Sequence, residues 1–330
     1  MFRRLLFNTT YEVWEWCCGD QKKSEGGTRH LRNGSALSKI KARKPPGITF
    51  GNKNQSDTMN RLFFLLFCCF LWGGNLLAQP DSVAYKSTEA VAFGVTDADW
   101  IDRLMPVVSG VAIDPNDNLV QQSVKPYMMP VRKIGAKGSA LSYALATCLE
   151  FYVNLENNYK DNLSPDYISV NLENSGKPVN LEEACRFLAG EGTVSAAIMP
   201  YDAPSVPNSV YAAQKYQINN YLHLFRETTK GRQRVFETKK ALMRGNPVLI
   251  ELHASPELKQ MVRVQTWKAP RNPDAVYPLL VVGYDEVEQV FEVMSSYGST
   301  WGKSGYLQIR YDDFGEYAKN GYVLVPKPTY

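Results

Sequence analysis

GSALSYALATCLEFYVNLE, residues 138–156, is the stretch on which the fold turns. Leu141, Ala144, Leu145, Cys148, Leu149 and Tyr152 recur every three or four residues, the spacing of one buried helix face. Ser139 stands just before them, where its hydroxyl can accept from the first unpaired backbone N–H groups. No glycine or proline interrupts the run through Glu156, so one long helix is expected. Two shorter helices are expected downstream. Leu181–Ala189 is opened by Asn180 and closed by Gly190; Phe236–Arg244 ends at Gly245.

Past these helices the character changes. PVLIELHA (247–254), PLLVVGYDE (278–286), QVFEVMSS (289–296), GYLQIRY (305–311) and GYVLV (321–325) are short β-rich runs separated by turn residues. Helices first and strands after is an α+β order, and we expect a helical lobe packed on a twisted, antiparallel, barrel-like sheet. Upstream, Gln79–Met129 reads as polar and irregular, with DPNDN (114–118) as a turn. No internal repeat or low-complexity tract follows residue 78.

The N-terminal part reads differently. Met59-Asn60-Arg61 is a short basic start, followed by LFFLLFCCFLW (62–72), then GGNLLA and Gln79. An apolar run of this length suits a secretory signal and is too short for a membrane span, which needs about 18 residues or more. We expect residues 59–78 to be a signal peptide cleaved after Ala78, a buried helix being the alternative. The product is then secreted or periplasmic, with no membrane anchoring after cleavage. Residues 1–58 lack hydrophobic periodicity and precede that signal. They read as an over-extended or disordered N-terminal segment, with Met59 as the natural start.

This division changes the meaning of the net charge of +4. Residues 1–78 carry twelve of the 37 Lys and Arg but five of the 33 Asp and Glu. From residue 79 onward 25 bases face 28 acids, net −3, so no nucleic-acid partner is expected. Only Cys148 and Cys185 lie beyond the signal; paired and buried-thiol states are both open to them. Three histidines and the absence of zinc spacing, a P-loop, a dinucleotide motif or an EF-hand loop give no metal or cofactor to expect. His223 reads as structural and His253, which follows an apolar strand in ELHASPE, as a surface or strand-end residue, with lining of a groove as its alternative.

Six collinear segments resemble the papain-like (C1-type) cysteine peptidases. PVRKIGAKGSALSYALA (130–146) resembles the approach to that family's central helix, and LSPDYISV (163–170) the start of its next helix. MPYDA (199–203) is similar to its Tyr-Pro-Tyr segment, and GNPVLIELHA (245–254) to the strand entering its second lobe. YPLLVVGYDE (277–286) and SSYGSTWGKSGYLQIRY (295–311) resemble the strands carrying its histidine and asparagine. The resemblance implies the two-lobed papain-like fold over residues 126–330, with 79–125 a polar segment before it.

It also implies a site whose chemistry has been erased. The family pattern Gln-Gly-x-Cys-Gly-Ser-Cys-Trp is met by IGAKGSAL (134–141). The nucleophile position is Ala140, whose methyl group cannot attack a carbonyl. The oxyanion-hole glutamine is Ile134, with no side-chain donor; loss of one such donor costs about 10²–10³ in rate. The histidine is Tyr277, a poor base at neutral pH. The asparagine is Ser295, which could hydrogen-bond Tyr277 but has no imidazole to steer. Tyr297 replaces the tryptophan that follows, whereas Trp301, Gly298 and Gly302 are kept, and GKPVN (176–180) lacks the paired glycines that hold substrate backbone. Lys137 stands where the family has a disulfide cysteine.

The expectation is a degenerate homologue, a pseudo-peptidase that binds a peptide or protein, or a structural module where Tyr277 itself fills the cleft. Its cleft would be walled by Ser139, Leu141, Tyr277, Tyr297 and Trp301. A divergent active peptidase with displaced groups is the alternative. In that reading Cys148 is the candidate thiol, although it lies eight residues, about 12 Å, along the helix from Ala140. Ser139, lacking a base, reads as a cap. Oligomeric state is open.

Overall fold

The structure is a computed structural model that describes residues 91–111, 117–176 and 180–329. The expected N-terminal extension (1–58), the signal peptide (59–78) and most of GKPVN lie outside the described residues, as does the beginning of the 79–125 segment. The part of Gln79–Met129 that is described is more ordered than its polarity suggests. Helix α1 (Ala98–Leu104) is capped by Asp97, whose carboxylate accepts from the Trp100 N–H, and it buries Ile101. Helix α2 (Asp117–Val120) takes up the last two residues of DPNDN and runs straight into strand β1 (Gln121–Ser123).

The long helix forms as its sequence dictates. Helix α3 spans Ala140–Asn157; Ser139 is its N-cap, accepting from the Ser142 N–H, and it is buried from Ser142 through Asn154. Helix α4 (Pro165–Asn174) is capped by Ser164 with proline in its first turn, and helix α5 (Leu181–Gly190) by Asn180. These helices form one lobe. Leu145, Leu149, Phe151, Ile168, Leu188 and their neighbours make its core.

Strand β2 (Ile218–Phe225) precedes the last long helix, which corrects the simple helices-then-strands order. Its sequence, INNYLHLF, hides an alternation because Asn219, Asn220 and His223 break the apolar run. Helix α6 (Gly231–Met243) starts five residues before the expected Phe236. Its first turn is held from outside. The Arg234 guanidinium donates to the carbonyls of Thr229, Glu227 and Ala318, and Gly231 lies against the backbone of Gly315.

Strands β3 (Val248–Ala254), β4 (Ala275–Asp285), β5 (Val290–Met294) and β6 (Tyr306–Arg310) follow, then helix α7 (Tyr311–Tyr317) and strand β7 (Ala318–Pro326). The sheet is antiparallel in the order β2-β7-β3-β4-β5-β6, and β1 pairs with the far end of β4. One face carries Ile250, Leu252, Leu279, Val281 and Phe291 into the barrel core, where Phe314 of α7 joins them. The opposite face carries Leu249, Leu280 and Val282 into the core of the helical lobe. The architecture is therefore α+β, a helical lobe against a barrel-like antiparallel sheet. Among the described residues no helix is long and apolar enough to cross a membrane.

Candidate functional site

The site is assembled where the head of α3 meets the strip 131–138 and the turn after β5. Ala140 is the first helical residue and is partly exposed. Ser139 beside it is fully engaged as a cap. Its oxygen accepts from the Ser142 N–H at 3.0 Å, its hydroxyl donates to Ser142 Oγ at 2.8 Å, and its N–H donates to Ser169 Oγ at 3.1 Å. Leu141, partly exposed, packs on the helical-lobe core.

The strip is stitched to the second lobe by backbone. Ile134 N–H donates to the Ser296 carbonyl at 2.9 Å, Gly298 N–H to the Arg132 carbonyl at 3.1 Å, and Lys133 and Tyr297 form an isolated antiparallel bridge. The positions named for the oxyanion donor and the orienting asparagine are thus neighbours along two paired segments. Ser295 is buried, and its Oγ accepts from the Tyr297 N–H at 3.2 Å. The expected bond from Ser295 to Tyr277 is not formed. Tyr277 pairs across from Leu252, and its ring is turned into the barrel core, 5% exposed, alongside Trp301.

Tyr297 leans on Trp301 with ring centres 5.9 Å apart, and the Trp301 indole N–H donates to the Leu258 carbonyl at 2.6 Å. Burial pushes the Tyr297 hydroxyl above its ordinary pKa, and the nearby Tyr277 hydroxyl adds to the shift. The Tyr297 oxygen is buried with no hydrogen-bond partner among the described residues. Burial likewise raises Tyr277, reinforced by Asp274 and Glu257, while the Lys259 ammonium sits 5.4 Å from its ring centre. Both phenols are therefore protonated at neutral pH, and neither can act there as a general base. Tyr277, Tyr297 and Trp301 form one aromatic group. Ser139, Ala140 and Leu141 belong to the helix head, and Ile134 and Ser295 to the stitching between them.

Two residues that the sequence did not single out for this role hold the strip in place. The Lys137 ammonium donates to the carbonyls of Ala203 and Pro204 at 2.6 and 2.8 Å. A flexible amine thus ties the strip to a distant loop at the position where a disulfide cysteine was expected. Arg132 reaches inward, donating to the Leu163 carbonyl, Tyr201 Oη and Thr147 Oγ1, and sits 3.3 Å from the buried Glu150 carboxylate. Tyr143 completes the support. Its hydroxyl accepts from the Gly135 N–H at 3.1 Å, and burial raises it to about 12 against that bond.

Cys148 and Cys185 are free thiols, both fully buried in the helical-lobe core. Burial raises the Cys148 thiol to about 12 and pushes Cys185 up as well. His223 lies on β2, stacked on Tyr322 with its Nε2 3.1 Å from Asn320 Oδ1. His253 lies on β3, partly buried. Among the described residues no group of three or more His, Cys, Asp or Glu is placed to hold a metal ion.

Comparison with known proteins agrees with this architecture. A cysteine proteinase of Theileria parva is 30% identical over 138 residues, which is 41% of this chain and 29% of that protein; the chain thus matches under a third of that relative's length. Xylellain, a cysteine protease from Xylella fastidiosa, superposes with a TM-score of 0.53 at 16% identity, covering 72% of this chain and 96% of that one. The ragweed pollen cysteine protease Amb a 11, in its proform, gives a TM-score of 0.52 at 16% identity, covering 68% and 70%. At such identities the two structures speak for the fold alone. The family model for papain family cysteine proteases matches residues 118–325, which contain both lobes, the head of α3 and the aromatic group. The chain belongs to the papain family of cysteine proteases.

Proposed function

We propose that this chain is an exported, catalytically inactive member of its family that binds a peptide or protein in the cleft between its lobes. The observation that carries the reading is Ala140 as the first residue of α3. A helix N-terminus favours a thiolate there, and a methyl group has none to favour. Ile134, Tyr277 and Ser295 support it, because Ile134 has no donor for an oxyanion, and neither Tyr277 nor Ser295 supplies the imidazole or the amide of the family's histidine and asparagine. Tyr277 packs within the barrel core while Leu141 packs with the helical lobe, which supports a groove over a cleft plugged by Tyr277. The alternative of displaced catalytic groups requires a reachable thiolate, and burial of Cys148 and Cys185 speaks against it.

A panel of fluorogenic peptides across several pH values, with a thiol-directed peptide epoxide as label, tests the reading. No turnover and no label are expected. Turnover that vanishes on Cys148→Ala would establish the displaced-thiol enzyme instead. Export is tested by sequencing the N-terminus of the native protein from the culture fluid or periplasm, where Gln79 is expected to be first.

A further inference from the structure

Residues 258–273, LKQMVRVQTWKAPRNP, carry Lys259, Arg263, Lys268 and Arg271 and no carboxylate. In a chain with an excess of acids from residue 79 onward, this is a local reversal of sign. At one end of the stretch Lys259 lies over the Tyr277 ring. Further along, a cavity of about 450 Å³ is lined by Val262, Arg263, Gln265, Ser299, Thr300 and Lys303 among others. Val262 bridges to Trp301, so this cavity opens beside a residue assigned to the groove wall.

Arg263 and Lys303 are both exposed, and among the described residues no carboxylate pairs with either. Arg263 is held at φ 60 and Gly302 at φ 54, so the backbone around the cavity is fixed in conformations that ordinary side chains adopt at a cost. Val262 is 56% exposed on the same rim. The lining thus combines two unpaired cations, hydroxyl donors and one apolar contact, with no acid among the residues that form it.

We propose that the groove's ligand is an acidic polypeptide segment whose carboxylates are taken by Arg263 and Lys303 at this cavity. The inference rests on the binding reading above and names the chemistry of the ligand. A guanidinium offers two parallel donors to one carboxylate, and the clustered positive field draws such a segment in. A peptide is the occupant because an apolar side chain beside the acid meets Val262, whereas a sulfated polysaccharide has nothing to place there.

The test is fluorescence anisotropy on the full chain with a fluorescein-labelled octapeptide of alternating glutamate and valine, against its glutamine–valine counterpart. At about 50 mM salt the glutamate peptide is expected to bind about tenfold tighter, and the preference should shrink at about 300 mM. The R263A/K303A double variant, checked for an unchanged circular dichroism spectrum, should lose the preference; R232A, at a different cavity, should keep it. Equal binding of both peptides, unchanged in the double variant, would overturn the acidic preference and leave groove binding standing. Glutamate-peptide binding that needs Arg263 and Lys303 but survives Leu141→Arg would support the acidic site and remove the groove from it. Tighter binding of dextran sulfate, insensitive to Val262→Ser, would overturn the peptide in favour of a polysaccharide. Failure of both peptides to bind would overturn both readings.

Discussion

Replacing Glu150 by glutamine isolates a buried charge in the helical lobe. Glu150 is fully buried on α3. One carboxylate oxygen accepts from the Leu163 N–H at 2.7 Å and lies 3.3 Å from Arg132 Nη1; the other is buried without a partner among the described residues. Burial raises this carboxyl from 4.5 to about 7, with Arg132 and the Leu163 N–H pulling down less than burial pushes up, and Asp161 adding to the rise. The folded protein therefore keeps a proton that the unfolded chain releases between pH 4.5 and about 7. The stability this group contributes is fully present below pH 4.5 and is lost as pH rises through the folded value. The interval from 4.5 to about 7, at about 1.4 kcal/mol per pH unit, makes the loss about 3 kcal/mol. Glutamine is neutral throughout and still accepts from Leu163 through its carbonyl oxygen. Urea denaturation of wild type and E150Q at steps across this range cancels the other titrating groups in the difference. Wild type should lose about 3 kcal/mol relative to E150Q from pH 4.5 to 7. Parallel curves would refute the reasoning, and a wild type that gained with rising pH would mean that the Arg132 pair outweighs desolvation.

Four smaller perturbations follow from the same contacts. Lys137→Met removes both hydrogen bonds to the Ala203 and Pro204 carbonyls and should cost about 1–2 kcal/mol in urea denaturation. Ser139→Ala removes the cap of α3 and should cost about 1 kcal/mol, with no accompanying change in ligand affinity if its role is structural alone. Gly302→Ala places a Cβ against the Tyr306 carbonyl oxygen at positive φ; a loss of more than about 2 kcal/mol is expected, read as a lowered Tm. Cys148 and Cys185 should resist a thiol-exchange reagent in the folded protein and both react in denaturant; rapid labelling of the native chain would contradict their burial.

Helix α3 was readable because cap, period and uninterrupted length agree, although the structure buries it on every side from Ser142 to Asn154. The later strands were readable for the same local reason, being apolar runs between turn residues. Strand β2 escaped notice because Asn220 takes a buried position and breaks the apolar alternation, and only the pairing with β7 decides that INNYLHLF is a strand. The first turn of α6 depends on Arg234 reaching carbonyls up to 84 residues away, which no window of sequence contains. At the site, the identities at Ala140, Ile134, Tyr277 and Ser295 followed from motif order. The direction of the Tyr277 ring did not, because it is set by the register that places Tyr277 opposite Leu252. Lys137 could be read as the loss of a staple. That its amine forms a new one required knowing where the loop around Ala203 lies.

The alternation along β4 has a consequence beyond packing. Leu279 and Val281 point into one core while Leu280 and Val282 point into the other, and β3 divides its residues in the same way. The wall between the lobes is therefore common to both, and the chain cannot be cut at the cleft into two independently folding halves. Either fragment would carry a sheet face with nothing to cover it and would be prone to aggregate. Heating the intact protein should melt the lobes in a single cooperative transition, with calorimetric and van't Hoff enthalpies in agreement. Motion of one lobe against the other therefore has to bend the sheet that they share.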